Sequence, residues 1–159
     1  MAHRDLKPDN ILIEEQFGSI HSLDFKVKII DFGFSVDMNS QKKLRTFCGT
    51  PSYMAPEIVC KKEYCGKETD IWALGIILFN MVYGRCPFRG ENERDLYRKI
   101  SKGVFSFPDE SYWNMDEFRG MQISPQFKAL VKRILEVRPE KRPTCEQILK
   151  DEWLKGVFF

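Results

Sequence analysis

The sequence predicts a mainly α fold with one small β-hairpin near its N-terminus. Three observations carry that prediction. Two short β-type runs, Ile11-Leu12-Ile13 and Val27-Lys28-Ile29-Ile30, lie early in the chain. From about residue 70 onward, apolar positions recur at helical spacing. Cap and breaker residues stand where helices of that spacing would start and stop.

The elements follow in order. Residues 14–26 contain Gly18, Ser19 and Ser22 and read as the long connection of a hairpin between the two strands. From Asp31 to Tyr53 the chain is polar and irregular, and so long a loop in a compact domain is functional or disordered. Thr69 caps a predicted helix over 70–83, and Gly84 ends it. That helix is apolar nearly all round, from Ile71 and Trp72 to Met81 and Val82, which places it at the centre of the fold. Asn92 caps a shorter helix whose Leu96 and Ile100 face inward. Ser124-Pro125 opens another, with Phe127, Leu130, Val131, Ile134 and Leu135 forming one stripe. Thr144-Cys145-Glu146-Gln147 is a capping box for a last helix through Ile148 and Leu149.

Composition narrows the class. The chain has 159 residues, 43% hydrophobic and 30% charged, which fits a single folded domain or a piece of one. A net charge of +2 argues against a general polyanion binder, so no nucleic-acid partner is expected. The longest apolar run, Ile71 to Phe79, is too short to span a bilayer, so no membrane is expected either. The five cysteines form no Cys-x-x-Cys pair, and only His3 and His21 could join them, which disfavours a zinc site. Their odd number and scatter fit reduced thiols in the cytoplasm or nucleus. Cys60, Cys65, Cys86 and Cys145 read as small packing residues. Cys48 stands in the long loop, with a redox role as the minority reading.

The residues that carry chemistry lie first in the chain. His3-Arg4-Asp5-Leu6-Lys7-Pro8-Asp9-Asn10 packs a carboxylate, an ammonium and a carboxamide into six positions, and Asp31-Phe32-Gly33 follows the second strand. Phosphoryl transfer asks for such a set. A carboxylate orients the attacking hydroxyl, a cation offsets phosphoryl charge, and two oxygen donors hold a hard ion such as Mg²⁺. An isolated Asp or Asn would read as a turn residue; the combined spacing outweighs that reading.

At these residues the chain resembles the eukaryotic protein kinases. It carries their His-Arg-Asp catalytic loop, their Asp-Phe-Gly motif, Met54-Ala55-Pro56-Glu57 at the end of the activation segment, and Asp70-Ile71-Trp72-Ala73-Leu74-Gly75 at the start of the central helix. The resemblance implies a protein-kinase-like C-terminal lobe, a partial kinase domain over 1–159. Within it, 3–10 would be the catalytic loop, 31–57 the activation segment and 69–154 the helical subdomain. It implies ATP and Mg²⁺ as cofactors and phosphorylation of Ser or Thr in protein substrates. Asp5 would be the catalytic base, and Lys7, a mark of Ser/Thr kinases, would contact the γ-phosphate. Asn10 and Asp31 would hold the metal, and Thr50 would bond near Asp5 and Lys7. Thr46 would be a regulatory phosphosite for an upstream activating kinase, its phosphate received by Arg4. Glu57 and Arg142 would form a buried structural pair. His3 would be structural, with Phe32 stacked nearby, and His21 an exposed loop residue. Trp72, Trp113 and Trp153 read as packing, and Lys42, Lys43 and Arg45 as a solvated face.

Leu44 to Pro51 and Gly84-Arg85-Cys86-Pro87-Phe88 look like the calcium/calmodulin-dependent kinase group and its energy-sensing relatives. The chain departs from the family in carrying no Gly-rich loop and no Val-Ala-x-Lys strand. The N-terminal lobe is therefore expected to be absent, the fragment alone poorly active or inactive, and apolar surface around Leu12, Phe32 and Ile77 left uncovered. The alternative is a non-catalytic kinase-lobe interaction module or a truncated pseudokinase. Two smaller departures are a connection from Asn10 to Asp31 longer than the family's usual one, which suggests an extended hairpin tip around Gly18 to Asp24, and Val36 in place of a basic residue.

Overall fold

The helix over Gly66–Tyr83 (α2) is the axis around which the other elements pack. The computed structural model describes residues 1–15, 25–38, 43–108 and 123–155. Trp72, Ile76, Phe79 and Tyr83 of α2 are fully buried against residues of two further helices, Glu93–Lys102 (α3) and Pro125–Ile134 (α4). At about 1.5–3 kcal/mol for each large apolar side chain removed from water, this cluster is the main source of stability. Gly75 lets α2 and α4 meet: a Cβ there would stand 2.5 Å from Cγ2 of Ile134. Ile71, Leu130, Ile134 and Ile148 form a second buried cluster beside the first.

Several expected helix signals are realised. Asn92 Oδ1 accepts the Asp95 N–H at 3.0 Å, and Ser124 Oγ accepts the Phe127 N–H at 3.2 Å. Thr144 and Gln147 close a reciprocal capping box on the helix Cys145–Leu149 (α5). All five members of the 127–135 stripe are buried. The turn Pro56–Val59 (α1) and the short helix Glu152–Lys155 (α6) carry too little periodicity to be read from sequence. The helices thus begin before residue 69, and α5 is not the last.

Three expectations need correction. α2 starts one turn before Thr69, whose hydroxyl instead donates to Gly66 O at 2.8 Å inside the helix. Ile77 is buried rather than uncovered, while Leu12 (49%) and Phe32 (50%) are half exposed and Met81 of α2 is 75% exposed. Cys60 and Cys145 are exposed, so they are not packing residues; Cys48 is buried.

The strands Ile11–Glu15 (β1) and Phe25–Ile29 (β2) pair antiparallel, Ile11 opposite Ile29 and Ile13 opposite Val27. They are the only sheet among the described residues. The connection's tip, His21 and Trp113 lie outside the described residues, as does Lys42. Among those described, no helix is long and apolar enough to cross a membrane.

Candidate active site

The loop over 3–10 is hung from the first turns of α2. Asp70 is half-buried there, and its two carboxylate oxygens accept the main-chain N–H groups of His3 at 2.7 Å and Arg4 at 2.8 Å. Burial pushes the Asp70 carboxyl above the usual range, although both amide bonds pull the other way. Arg4 turns the chain through a left-handed conformation, φ 70°. The His3 ring then bridges outward: Nδ1 accepts the Asp5 N–H at 3.3 Å, so Nε2 carries the proton that reaches Ile30 O at 2.9 Å. Phe32 stands edge-on to that ring at 5.1 Å. His3 and Phe32 thus tie the loop to the end of β2.

Asp5 sits at the centre, 6% exposed. Its Oδ1 accepts both the Thr50 N–H and the Thr50 hydroxyl at 2.7 Å, and its Oδ2 faces Lys7 Nζ at 3.0 Å. Lys7 Nζ also donates to Thr50 Oγ1 at 3.0 Å, which closes a three-residue ring. Burial pushes the Asp5 carboxyl up, but the bonds from Thr50 and Lys7 outweigh it and hold the group below the usual aspartate range. The Asp5 partnership raises the Lys7 ammonium, so the pair is ionised at neutral pH. Thr50 reaches Asp5 because Gly49 brings the two loops together at φ 105°; a Cβ there would lie 2.8 Å from Arg4 O.

Asn10 is buried beside this ring, its Nδ2 donating to Asp5 O at 2.9 Å. Its own carbonyl accepts the Ile30 N–H at 3.0 Å, so Asp31 follows immediately beside it. Asp31 is exposed, φ 60°, and its Oδ1 accepts the Gly33 N–H at 3.2 Å. Asp31 makes no direct bond to Asp5, Lys7 or Asn10, but its charge acts on Lys7. Asp31 and Asn10 both carry hard oxygen atoms, a donor type that suits Mg²⁺. Among the described residues no group of three His, Cys, Asp or Glu could hold a metal alone.

Arg4 and the exposed Thr46 do not touch directly. Arg4 Nε donates to Phe34 O at 2.5 Å and Nη1 to Tyr64 Oη at 3.4 Å; Tyr64 Oη donates to Thr46 O at 2.8 Å. Val36 pairs with Ala2 through two main-chain bonds of 2.9 Å.

Glu57 and Arg142 lie below the loops, both buried. The guanidinium grips the carboxylate with two bonds of 2.8 and 2.7 Å. Its other donors reach Glu136 O, Glu68 O and Val137 O, and its plane lies 5.0 Å from the Trp72 ring. Arg45 pairs with Glu63 at the surface.

The duties of two residues escaped the sequence reading. Asp70 was named only as a member of the central-helix motif; a charge in a helix otherwise apolar all round needs partners, and that was the available signal. Tyr64 carries no local signal, because its partners lie 18 and 60 residues away.

One helix-rich fold thus carries both the Asp5–Lys7–Thr50 cluster and the buried Glu57–Arg142 pair. A family model described as "Protein kinase domain" matches residues 1–154, and the chain belongs to that family. It is 41% identical over 155 residues to the carbon catabolite-derepressing protein kinase of Candida tropicalis, covering 98% of this chain and 22% of that one. It is 39% identical over 158 residues to CBL-interacting serine/threonine-protein kinase 15 of Arabidopsis thaliana, covering 98% and 33%. To the probable serine/threonine-protein kinase MARK-A of Dictyostelium discoideum it is 39% identical over 155 residues, covering 98% and 13%. The chain therefore spans at most about a third of the length of these relatives.

Proposed function

We propose that the chain is the C-terminal-lobe part of a serine/threonine protein kinase, and that its parent transfers the γ-phosphoryl group of ATP to Ser or Thr in protein substrates. The domain limits follow the sequence reading, with 3–10 as catalytic loop, 31–57 as activation segment and 69–154 as the helical subdomain. The observation that carries the proposal is the ring of Asp5, Lys7 and Thr50.

That ring leaves the right valences open. Thr50 fills both lone pairs of Asp5 Oδ1, and Lys7 takes one site on Oδ2. One acceptor site remains, through which Asp5 would orient a substrate hydroxyl and take its proton as the phosphoryl bond forms. A carboxyl held below the usual range is a weak base at rest, so orientation is its main work before the transition state. Lys7 spends two of its three donors on Asp5 and Thr50 and keeps one for a γ-phosphate oxygen. Asn10 and Asp31 would hold Mg²⁺, which supplies neutralisation of phosphate charge when bound. Arg4 would receive a phosphate placed on Thr46 by an upstream kinase.

The 159 residues include no Gly-rich loop and no strand lysine for the α- and β-phosphates, so we expect catalysis to need residues beyond these. The alternative of a non-catalytic interaction module draws on the exposed apolar side chains of Leu12, Ile13, Val27 and Ile29. Transfer of labelled phosphate from ATP to Ser and Thr peptides by the parent kinase separates the two. Asp5→Asn should lower kcat by about 10²–10⁴-fold with little change in KM. Equal rates in the two proteins would refute the assignment.

A further inference from the structure

Val104 follows α3 and is 76% exposed, which is unusual for a valine beside an aromatic cluster. It lines two hollows, one of about 360 Å³ and one of about 300 Å³, and Phe105 lines both with it. The larger hollow has an aromatic floor. Phe105 meets Phe79 edge-on at 5.9 Å and Phe88 at 5.6 Å, and those two rings are buried. Its rim is cationic: Arg85, Arg89 and Lys99 line it, and no described carboxylate does. Lys99 meets Asp95, outside that lining, at 2.9 Å. Arg89 is exposed and forms no ion pair with a described residue. In the smaller hollow Lys132 accompanies Leu135 and Val137, and the acidic Glu136 there is bonded to Arg138.

A fixed aromatic floor, an exposed aliphatic side chain and a rim containing arginine match the composition of a protein-binding patch. Charge complementarity then selects the partner, carboxylates for the rim and a large apolar side chain for the floor. Nucleic acid is the weaker fit, because it needs a run of cations along successive phosphates. Here three cations surround an apolar centre, and the whole chain carries only +2.

We propose that the groove around Val104 and Phe105 docks an acidic protein segment carrying a leucine or phenylalanine anchor. The anchor rests on Phe105 and Val104, and the carboxylates meet the cationic rim. The inference needs no phosphate transfer and stands apart from the Asp5 site.

The test titrates the chain into a short fluorescein-labelled peptide of Asp and Glu around a central Leu, read by fluorescence anisotropy. A Kd of about 100 μM or tighter is expected, and weaker binding overturns the proposal. Serine in place of the leucine should weaken binding about tenfold. Lys and Arg in place of the acids should abolish it. A peptide that binds equally well without its leucine, or a single-stranded oligonucleotide that binds more tightly, would make the groove a mere polyanion surface and overturn the proposal. Arg89→Glu should cost about three- to tenfold, most at low salt, and Val104→Asp about tenfold. Lys150→Glu, an exposed cation outside both hollows, should change affinity by less than about twofold. Equal losses in all three variants overturn the assignment. Should Val104→Asp fail to fold, the unaltered chain decides. Its Val104 methyl and Phe105 ring resonances should move on adding the peptide, and binding that leaves them still places the peptide elsewhere and sinks the proposal.

Discussion

Asp5 and Glu57 are both buried carboxylates facing a cation, yet they are finished differently. Around Glu57 all five Arg142 donors are spent inside the protein, two on the carboxylate and three on main-chain carbonyls. Around Asp5 the ring stays incomplete, with an acceptor site on Oδ2 and a donor on Lys7 unspent. A closed pair serves the fold, because nothing can be added to it. An open pair of similar burial keeps valences that a ligand could take. The difference separates architecture from chemistry more sharply than burial or charge alone, since both carboxylates are about equally hidden.

The largest way to break this comparison on the stability side is Arg142→Leu. It strands Glu57 with no cation and also frees Glu136 O, Glu68 O and Val137 O. Leaving a buried charge uncompensated costs about 3–5 kcal/mol. Urea unfolding should show that loss at neutral pH. A loss well under 1 kcal/mol would mean that the pair is not closed in the sense argued here.

Thr50→Val sharpens the other half. It keeps the amide bond to Asp5 Oδ1 and removes the hydroxyl bond. The Asp5 carboxyl, now held low by Thr50 and Lys7, should rise toward the usual range near about 3.9. The sign follows from that depression. Asp5 contributes stability above the unfolded-chain value and loses it as pH falls through the folded value. The variant should therefore be weaker by about 1–2 kcal/mol at pH 7 and converge on the unaltered chain below about pH 3. Urea unfolding at the two pH values checks this. A deficit that persists undiminished in acid would assign Thr50 to packing rather than to the carboxylate.

How much of this was legible beforehand depends on how far each contact reaches along the chain. α3, α4 and α5 announce themselves because cap and stripe lie within ten residues: Asn92, Ser124 and Thr144 each bond three residues on. The start of α2 was misread for the same reason. A Thr before an apolar run mimics a cap, but this helix gains its first turn from a tertiary contact, Arg142 donating to Glu68 O. Asp5, Lys7, Asn10 and Thr50 were named through motif resemblance, since no periodicity places a threonine 45 residues away on a carboxylate. The duties of Asp70 and Tyr64 span 60 to 67 residues: a charge in an apolar helix marks Asp70 as needing partners without saying which, and nothing local marks Tyr64. Cys60 and Cys145 show the reverse failure: a general preference for burial gave no warning that both are exposed.

The smallest expected effect completes the comparison. Arg45 and Glu63 meet with two short bonds, and by distance alone they rival the Glu57 pair. The Arg45 side chain is 81% exposed, however, so water solvates both charges before and after pairing. The Arg45 hydrogen bond holds the Glu63 carboxyl below its usual range, yet that shift reports a contact at the surface, where salt screens it. Arg45→Ala should leave the thermal midpoint unchanged within error, at low and at high salt, and return Glu63 to ordinary titration. If it instead destabilised the fold as much as Arg142→Leu, bond length would govern these pairs and the distinction between closed and open sites would lose its basis. If only the titration of Glu63 moves, enclosure decides what an ion pair is for, and Asp5 differs from Glu57 in being enclosed but unfinished.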